Sequence, residues 1–223
     1  MLLSIIIPIF NEEKTLLKII DKVQKVDIEK EIIVVDDCST DNSRNILSKI
    51  ENIRVLLHSR NMGKGAAIRT GLAHIKGAVV IIQDGDLEYD PSCFPILLQP
   101  ILNGEVDVVY GSRFLGKTQG MRFQNFLGNK FLTLLTSVLY GSKISDMETC
   151  YKMIKSSLLK DMTLRANRFD FEPEITAKIL KQKIRFKEVP ISYMGRTHDQ
   201  GKKIGWRDGM SAIWALIKYR ISD

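Results

Sequence analysis

Short apolar runs alternate with amphipathic segments along the first half of the chain, and this alternation constrains the fold most strongly. The first run, residues 2–9, is apolar at nearly every position, which is typical of strands buried on both faces of a parallel sheet. Further strands are predicted at 32–35, 53–57, 78–83 and 106–110, and helices at 12–26, 41–50, 65–75 and 91–102. The pattern predicts an α/β fold with a doubly wound, mostly parallel sheet.

After residue 113 the alternation gives way to longer helices. An amphipathic helix is predicted over 123–138, and another helix closes the chain. The remaining predicted elements are a strand near 150–154, a helix at 172–180, a strand at 186–191 and the closing helix at 206–220. The chain has 223 residues and no evident linker, so we expect a single domain with a first half at 1–113 and a second half at 114–223.

Composition indicates a reduced intracellular compartment. No run approaches the roughly 20 apolar residues that span a bilayer, and the N-terminus lacks the basic leader and cleavage site of a signal peptide. The three cysteines, Cys38, Cys93 and Cys150, are scattered and do not form a disulfide or zinc pattern. We therefore expect a cytoplasmic protein.

The net charge of +7 is concentrated near the C-terminus. Residues 178–223 hold 11 of the 33 basic residues and 4 of the 26 acidic ones. The rest of the chain is balanced. Such asymmetry indicates either a solubilising surface or a polyanionic partner, which could be lipid head groups, a phosphorylated substrate or nucleic acid.

Three carboxylates follow the strand predicted at 78–83. Asp84, Asp86 and Glu88 alternate along the chain, and in an extended segment side chains two apart point the same way. Like charges that converge repel each other unless a cation neutralises them. Mg²⁺ and Mn²⁺ favour such oxygen ligands. The segment therefore predicts a divalent metal site, and a solvated acidic turn is the alternative.

Polar clusters follow several of the predicted strands, at 8–12, 36–41, 60–65 and 84–88. In an open parallel sheet, ligands bind outside the carboxyl ends of the strands. The 60–65 loop leads into a helix N-terminus, which is a natural anion site. Neither a Walker A sequence nor the Gly-x-Gly-x-x-Gly dinucleotide pattern is present, which argues against an ordinary nicotinamide enzyme.

These clusters resemble glycosyltransferase family 2, in residues 4–12, 34–41 and 83–86. Residues 111–114, 145–152 and 188–193 are similar to the polyprenyl-phosphate sugar synthases of that family. The resemblance implies a GT-A nucleotide-sugar fold with a metal-binding D-x-D motif. It also implies inverting transfer of a hexose, mannose or glucose, from a GDP- or UDP-sugar to a dolichyl or undecaprenyl phosphate.

The resemblance further implies roles for individual residues. Asp84, Asp86 and Glu88 would hold Mg²⁺ or Mn²⁺. The residues expected to bind the nucleotide sugar are Pro8, Phe10, Glu12, Asp37, Lys64 and Asp84. The residues expected to support catalysis are Asp86, Arg113, Arg196 and Lys202, and those expected near the acceptor are Arg122 and Glu174. A phosphate acceptor is already anionic, so the reaction needs cations that hold two polyanions in line and no general base.

One residue and one short stretch depart from the family pattern. Glu88 stands where many members have Gln, which adds a charge to the metal site. Glu148, Thr149 and Cys150 replace a Thr-Ser-Gly stretch. This second departure falls on the acceptor side of the resemblance.

A membrane surface is the expected location of the acceptor. The helices at 123–138 and 206–220 have apolar faces with aromatic and basic residues, which suit an anionic bilayer interface. We expect a peripheral protein at the cytoplasmic face that binds no nucleic acid. A membrane-anchoring subunit and a homo-oligomer are both left open.

Two alternatives compete with this hypothesis. One is a family 2 enzyme with a sugar-hydroxyl acceptor, which would need a general base such as Glu174 or Asp146. The other is a non-catalytic basic module that binds nucleic acid or an anionic membrane. That alternative explains the basic C-terminal region but gives no role to the acidic cluster.

Overall fold

The computed structural model describes residues 1–196 and 206–222, and the side chains within 1–196 and 208–222. A seven-stranded sheet forms its centre, with the strands in the order β3-β2-β1-β4-β7-β5-β8. These strands are β1 Leu3–Ile9, β2 Lys30–Asp36, β3 Arg54–Leu57, β4 Val79–Ile82, β5 Val108–Ser112, β7 Lys152–Lys155 and β8 Phe186–Pro190. A separate parallel pair consists of β6 Thr118–Gln119 and β9 Tyr193–Met194. The predicted α/β architecture is confirmed.

The helices in the described residues follow the predicted order, with bounds shifted by a few residues. They are α1 Leu16–Lys25, α2 Ser43–Leu47, α3 Lys64–Leu72, α4 Phe94–Leu102, α5 Phe123–Tyr140, α6 Ser156–Lys160, α7 Phe171–Lys181 and α8 Trp206–Ile221. A 3-10 turn, Pro91–Cys93, precedes α4 and begins at the proline. The short helix α6 and the β6–β9 pair lie outside the sequence prediction.

The core lies on both sides of the central strands. Ile5, Ile6 and Ile7 on β1 have no exposed surface, which is why β1 reads as a continuous apolar run rather than an alternating one. Burying one such side chain contributes about 1.5–3 kcal/mol. The sheet is therefore a rigid support for the loops at its carboxyl edge.

One strand, β7, runs against the others. It lies between β4 and β5 and is antiparallel to both. Because of this reversal, the residues that precede β7 lie at the same edge as the residues that follow β4 and β5. The segments around Asp84, Arg113 and Asp146 therefore meet, although they are far apart in sequence.

Within the part of the chain that the structure describes, no helix has the length and apolarity required to cross a bilayer.

Gly63 joins the 60–65 loop to α3 in a conformation that suits glycine alone. Its φ is +97°, and a Cβ there would lie 2.3 Å from the carbonyl oxygen of Asn167. Gly104 also has a positive φ, +71°, but a Cβ there would meet nothing within 4 Å. An alanine at either position would suffer backbone strain, but only an alanine at position 63 would also overlap a neighbouring atom.

We predict that Gly63→Ala lowers the free energy of unfolding by about 3 kcal/mol, since strain and overpacking add. Gly104→Ala should lower it by only about 1 kcal/mol, because strain acts alone there. Denaturant unfolding of both variants measures the difference. Equal losses would show that the contact with Asn167 does not constrain the loop.

Candidate active site

A cavity of about 920 Å³ opens at the carboxyl edge of the sheet. It collects most of the residues that the sequence singled out. The predicted residues that line it are Pro8, Phe10, Glu12, Asp37, Lys64, Asp84, Asp86, Glu88, Arg113, Arg122 and Arg196. Lys202 lies outside the described residues. Glu174 is described but does not line the cavity.

The acidic segment after β4 is a turn, so the expectation of an extended segment is wrong. Leu87 adopts a left-handed φ of +65°, and the Glu88 amide donates to Asp86 Oδ1 at 3.0 Å. A bulky residue at positive φ is strained, and such strain clusters at functional sites. Within this turn, Asp84 pairs with Lys64, whereas Asp86 and Glu88 contact Arg196.

Arg196, two residues after β9, bridges three carboxylates. Its guanidinium lies 3.1 Å from Glu12 Oε2 and 2.9 Å from Asp86 Oδ2, and its backbone amide donates to Glu88 Oε1 at 2.7 Å. Burial, followed by the charges of Asp84 and Glu88, nevertheless raises the pKa of Asp86 to about 7. The group thus holds more negative charge than Arg196 offsets, so a further cation would be stabilised here.

Lys64 neutralises the inner end of the cavity. Its Nζ lies 2.8 Å from Asp84 Oδ1 and 2.9 Å from Glu172 Oε1. Burial acts to lower the pKa of Lys64, yet the surrounding negative charges, Asp84 foremost, raise it well above its usual value. Lys64 begins α3, whereas Glu172 lies in the first turn of α7. This ion pair therefore joins the two halves of the chain.

Asp37 stabilises the 60–65 loop through hydrogen bonds to its backbone. Its carboxylate accepts from the amides of Met62 at 2.8 Å and Gly63 at 2.7 Å. The same carboxylate lies 2.7 Å from His58 Nδ1. These two amides therefore bind Asp37, and the loop does not present them as the anion site that the sequence suggested. Asp37 still lines the cavity.

Arg113 is held rigidly beside the cavity by a bidentate pair. Its Nε and a terminal nitrogen donate to Asp146 at 2.8 and 2.7 Å, and its amide donates to the same carboxylate at 2.9 Å. The Tyr193 ring lies 5.3 Å from the guanidinium carbon, and the Tyr193 hydroxyl donates to Glu88 at 2.6 Å. Arg113 and Glu88 are thus connected through one aromatic side chain.

The two proposed general bases are both occupied. Asp146 has no exposed surface and is engaged by Arg113. Glu174 is equally buried. It accepts from the amides of Arg165 and Ala166 at 2.7–2.9 Å and lies 3.4 Å from Lys178 Nζ. Glu174 therefore supports the loop before α7 and does not lie with the other predicted residues. Arg122, the other residue expected near the acceptor, is exposed at the start of α5.

Several polar or aromatic residues that line the cavity were not predicted to act there. They include Tyr89, Glu148, Glu172 and Tyr193. Glu148 and Tyr193 lie in segments that resemble the family, so their position in those segments was an available signal. Glu172 was interpreted as a helix-terminus residue, and its pairing with Lys64 requires the tertiary fold.

The carboxylates fit a hard divalent cation by charge and ligand type. Asp84, Asp86 and Glu88 offer oxygen ligands of the kind that Mg²⁺ and Mn²⁺ prefer. In the described residues, no three acidic, histidine or cysteine side chains already form a ligand set. Lys64 and Arg196 bind oxygens of Asp84 and Asp86. Metal binding would therefore require Arg196 to release Asp86.

The sequence matches the profile described as Glycosyl transferase family 2 over residues 4–163. This match covers most of the chain, which therefore belongs to glycosyltransferase family 2 and is an enzyme. The non-catalytic module considered from the sequence is wrong.

Two curated relatives act on lipid phosphates, as their names state. A UDP-N-acetylglucosamine–dolichyl-phosphate N-acetylglucosaminyltransferase from Methanococcus voltae is 27% identical, over 99% of this chain and 96% of its own length. A dodecaprenyl-phosphate galacturonate synthase from Rhizobium johnstonii is 27% identical, over 90% of this chain and 61% of its own length.

A similar fold occurs in glucosyl-3-phosphoglycerate synthase from Mycobacterium tuberculosis. That crystal structure, with Mn²⁺, UDP and phosphoglyceric acid, has a TM-score of 0.76 and 22% identity, covering 98% of this chain and 78% of its own. The likeness confirms the predicted GT-A fold.

We predict that Asp86→Asn lowers Mn²⁺-dependent turnover of a nucleotide sugar by at least about 100-fold, because a charged metal ligand is lost. The thermal midpoint should change little, since the substitution also relieves repulsion within the cluster. Asp107→Asn is the matched control. Asp107 pairs with Lys155 at 2.7 Å and precedes β5, away from the carboxyl edge. Near-normal turnover of folded Asp86→Asn would contradict the assignment.

Proposed function

As a member of glycosyltransferase family 2, this chain transfers a sugar, and we propose that it moves a hexose or N-acetylhexosamine from a nucleotide sugar to a polyprenyl phosphate. The cavity is the observation that carries the proposal. Its lining combines carboxylates with an incomplete charge balance and two arginines, Arg113 and Arg122. The carboxylates suit a metal-bound diphosphate, and the arginines suit an anionic acceptor.

The donor would lie along the carboxyl edge of β1 and β4. Pro8, Phe10 and Asp37 line the end proposed for the nucleoside. Asp84, Asp86 and Glu88 would hold Mg²⁺ or Mn²⁺, which offsets charge on the diphosphate leaving group. The Mycobacterium tuberculosis synthase, which has a similar fold, binds UDP together with Mn²⁺ or Mg²⁺, and this supports a metal-dependent nucleotide site.

The acceptor phosphate would approach from the Arg122 side. A phosphate oxygen attacks the anomeric carbon, and the bond from that carbon to the diphosphate breaks, with its electron pair leaving on the nucleoside diphosphate. The acceptor oxygen is already anionic, so no proton needs to be removed. In-line attack would invert the anomeric centre. Arg113 and Arg122, with Lys202 as a further proposed cation, would offset the charge of two polyanions held together.

The two general bases considered from the sequence, Asp146 and Glu174, are both engaged, which favours this acceptor over a sugar hydroxyl that would use either of them. A hydroxyl acceptor needs a general base within hydrogen-bond reach. Asp146 is engaged by Arg113, and Glu174 by two backbone amides and Lys178. The names of the two curated relatives support the same choice.

An exposed apolar face on α5 suits attachment to a membrane surface. The side chains of this face project from one side of the helix. They are Phe123, Phe126, Leu127, Phe131, Leu134 and Val138. The neighbouring α8, joined to α5 by a 2.8 Å hydrogen bond from Tyr140 to the Leu216 carbonyl, exposes Met210 and Trp214. Lys218 and Arg220 are also exposed on α8 and would attract anionic lipid. We propose peripheral binding at the cytoplasmic face.

A donor and acceptor panel tests the function. UDP-N-acetylglucosamine, UDP-glucose, GDP-mannose and GDP-glucose are each incubated with Mn²⁺ and either undecaprenyl phosphate, dolichyl phosphate or a soluble saccharide. We expect the sugar to enter the organic phase with one nucleotide class and a lipid phosphate. Transfer to the saccharide alone would establish the hydroxyl-acceptor alternative and contradict the proposal.

We predict that vesicles containing anionic lipid bind the protein, and that salt weakens the binding without abolishing it. Electrostatic attraction contributes about 1 kcal/mol per surface Lys or Arg and is screened, whereas apolar insertion is not. Phe131→Ser with Leu134→Ser should remove the salt-resistant part in a sedimentation assay. Leu17→Ser with Ile96→Ser is the matched control, because both residues are similarly exposed on other helices.

Equal losses in the two double variants would show that general surface apolarity, and not α5, binds the vesicle. Absence of binding by the unmodified chain would mean that another subunit supplies the attachment.

A further inference from the structure

Glu148 lies in the loop between α5 and β7 and lines the cavity. Its Oε1 is buried and has no hydrogen-bond partner among the described residues. The neighbouring carboxylates differ from it in this respect. Glu172 binds Lys64, and Asp146 binds Arg113. Glu148 therefore offers a hydrogen-bonding group that a cavity ligand can use.

The buried cation closest in sequence, Lys152, does not pair with Glu148. Its ammonium donates to the carbonyl of Met147 at 2.9 Å and to the carbonyl of Thr149, and it lies 5.0 Å from the Tyr110 ring centre. These contacts fix the Lys152 ammonium against the backbone of residues 147 and 149. The charge of Lys152 still reaches Glu148 electrostatically, but its hydrogen bonds go elsewhere.

The charge around Glu148 excludes a further anion. Burial, followed by the charge of Glu172, raises the pKa of Glu148 to about 7, although Lys152 and Arg113 act in the opposite direction. A phosphate or carboxylate placed beside this pair of acidic side chains would meet like charge in a poorly solvated position. The group that occupies this position is therefore neutral and carries hydrogen-bond donors.

The transferred sugar is the part of the substrates with these properties. The nucleoside is proposed to lie at the Pro8 and Asp37 end, and both phosphate groups to lie on cations. A sugar ring is neutral and carries several hydroxyl donors, and an acetamido group adds an N–H. A buried polar group left unpaired costs about 1–3 kcal/mol, so a sugar that satisfies Glu148 is favoured over one that does not.

We propose that Glu148 hydrogen-bonds a hydroxyl or amide N–H of the transferred sugar and selects neutral sugars over uronic acids. This rests on the donor half of the proposed function. The proposed contact does not depend on the identity of the acceptor, since it forms before transfer. The assignment gives Glu148, within the Glu-Thr-Cys stretch that departs from the family pattern, a role toward the donor sugar rather than the acceptor.

Calorimetric titration of the full chain with Mn²⁺ separates sugar recognition from nucleotide recognition. The ligands are UDP, UDP-glucose, UDP-N-acetylglucosamine and UDP-glucuronic acid, with GDP, GDP-mannose and GDP-glucose as the guanine series. For the neutral nucleotide sugar that binds best, Glu148→Ala should weaken binding about tenfold. Binding of the nucleoside diphosphate alone should stay within about twofold of the unmodified protein.

Glu148→Gln keeps the shape and removes the charge, so it decides the selectivity if the alanine variant does not fold. It should improve binding of UDP-glucuronic acid relative to the neutral sugar about tenfold. Glu105→Gln, on a surface ion pair with Lys187, is the control and should change neither value.

Three results would overturn the assignment. The first is an equal loss of affinity for the nucleoside diphosphate and the nucleotide sugar, which would indicate a structural role. The second is unchanged sugar affinity and selectivity in both folded variants. The third is absence of nucleotide-sugar binding by the unmodified chain, which would also overturn the proposed function. The first two results leave the proposed function intact.

Discussion

The charge balance at the carboxyl edge of the sheet is the constraint on which the site depends. Glu12, Asp84, Asp86 and Glu88 converge there from the ends of β1 and β4. Arg196 and Lys64 offset these charges from opposite sides. Since a buried carboxylate is costly unless paired, the two cations fix where their own segments can lie. Arg196 positions the chain after β9, and Lys64 joins α3 to α7.

The same charge balance allows a divalent ion to take the place of Arg196 at these carboxylates. A guanidinium that bridges Glu12 and Asp86 occupies the oxygens that a divalent ion would use. Three carboxylates, Glu12, Asp86 and Glu88, face this one guanidinium, and burial followed by the charges of Asp84 and Glu88 raises the pKa of Asp86. A metal with a bound diphosphate would supply positive charge to the carboxylates and negative charge to Arg196. Donor binding can thus replace one set of ion pairs with another without leaving a buried charge unpaired.

The sequence predicted the sheet well because strands buried on both faces have a distinctive apolar run. It did not reveal the direction of β7, since an antiparallel strand buried inside a parallel sheet has the same run. The reversal of β7 brings Asp146 to Arg113, which is 33 residues away. Likewise, the turn at 84–88 depends on Leu87 accepting a left-handed φ, which side-chain alternation cannot indicate.

Most of the candidate site was accessible from the sequence because its residues follow strands. Glu174 and Glu172 show the limit of that reasoning. They are two residues apart on one helix, yet Glu172 reaches the cavity and Glu174 caps a neighbouring loop. The packing of α7 against α8 and α5 separates their roles. The unpaired state of Glu148 likewise depends on where Lys152 places its hydrogen bonds.

The most direct test of the charge-balance account is a Mn²⁺ titration of the unmodified chain and of Arg196→Ala, followed by the electron paramagnetic resonance of free Mn²⁺. The account predicts one site in each protein. It also predicts about tenfold tighter binding in Arg196→Ala, because the competing cation is gone. Failure of either protein to bind Mn²⁺, with or without UDP, would contradict the account, as would weaker binding in the variant.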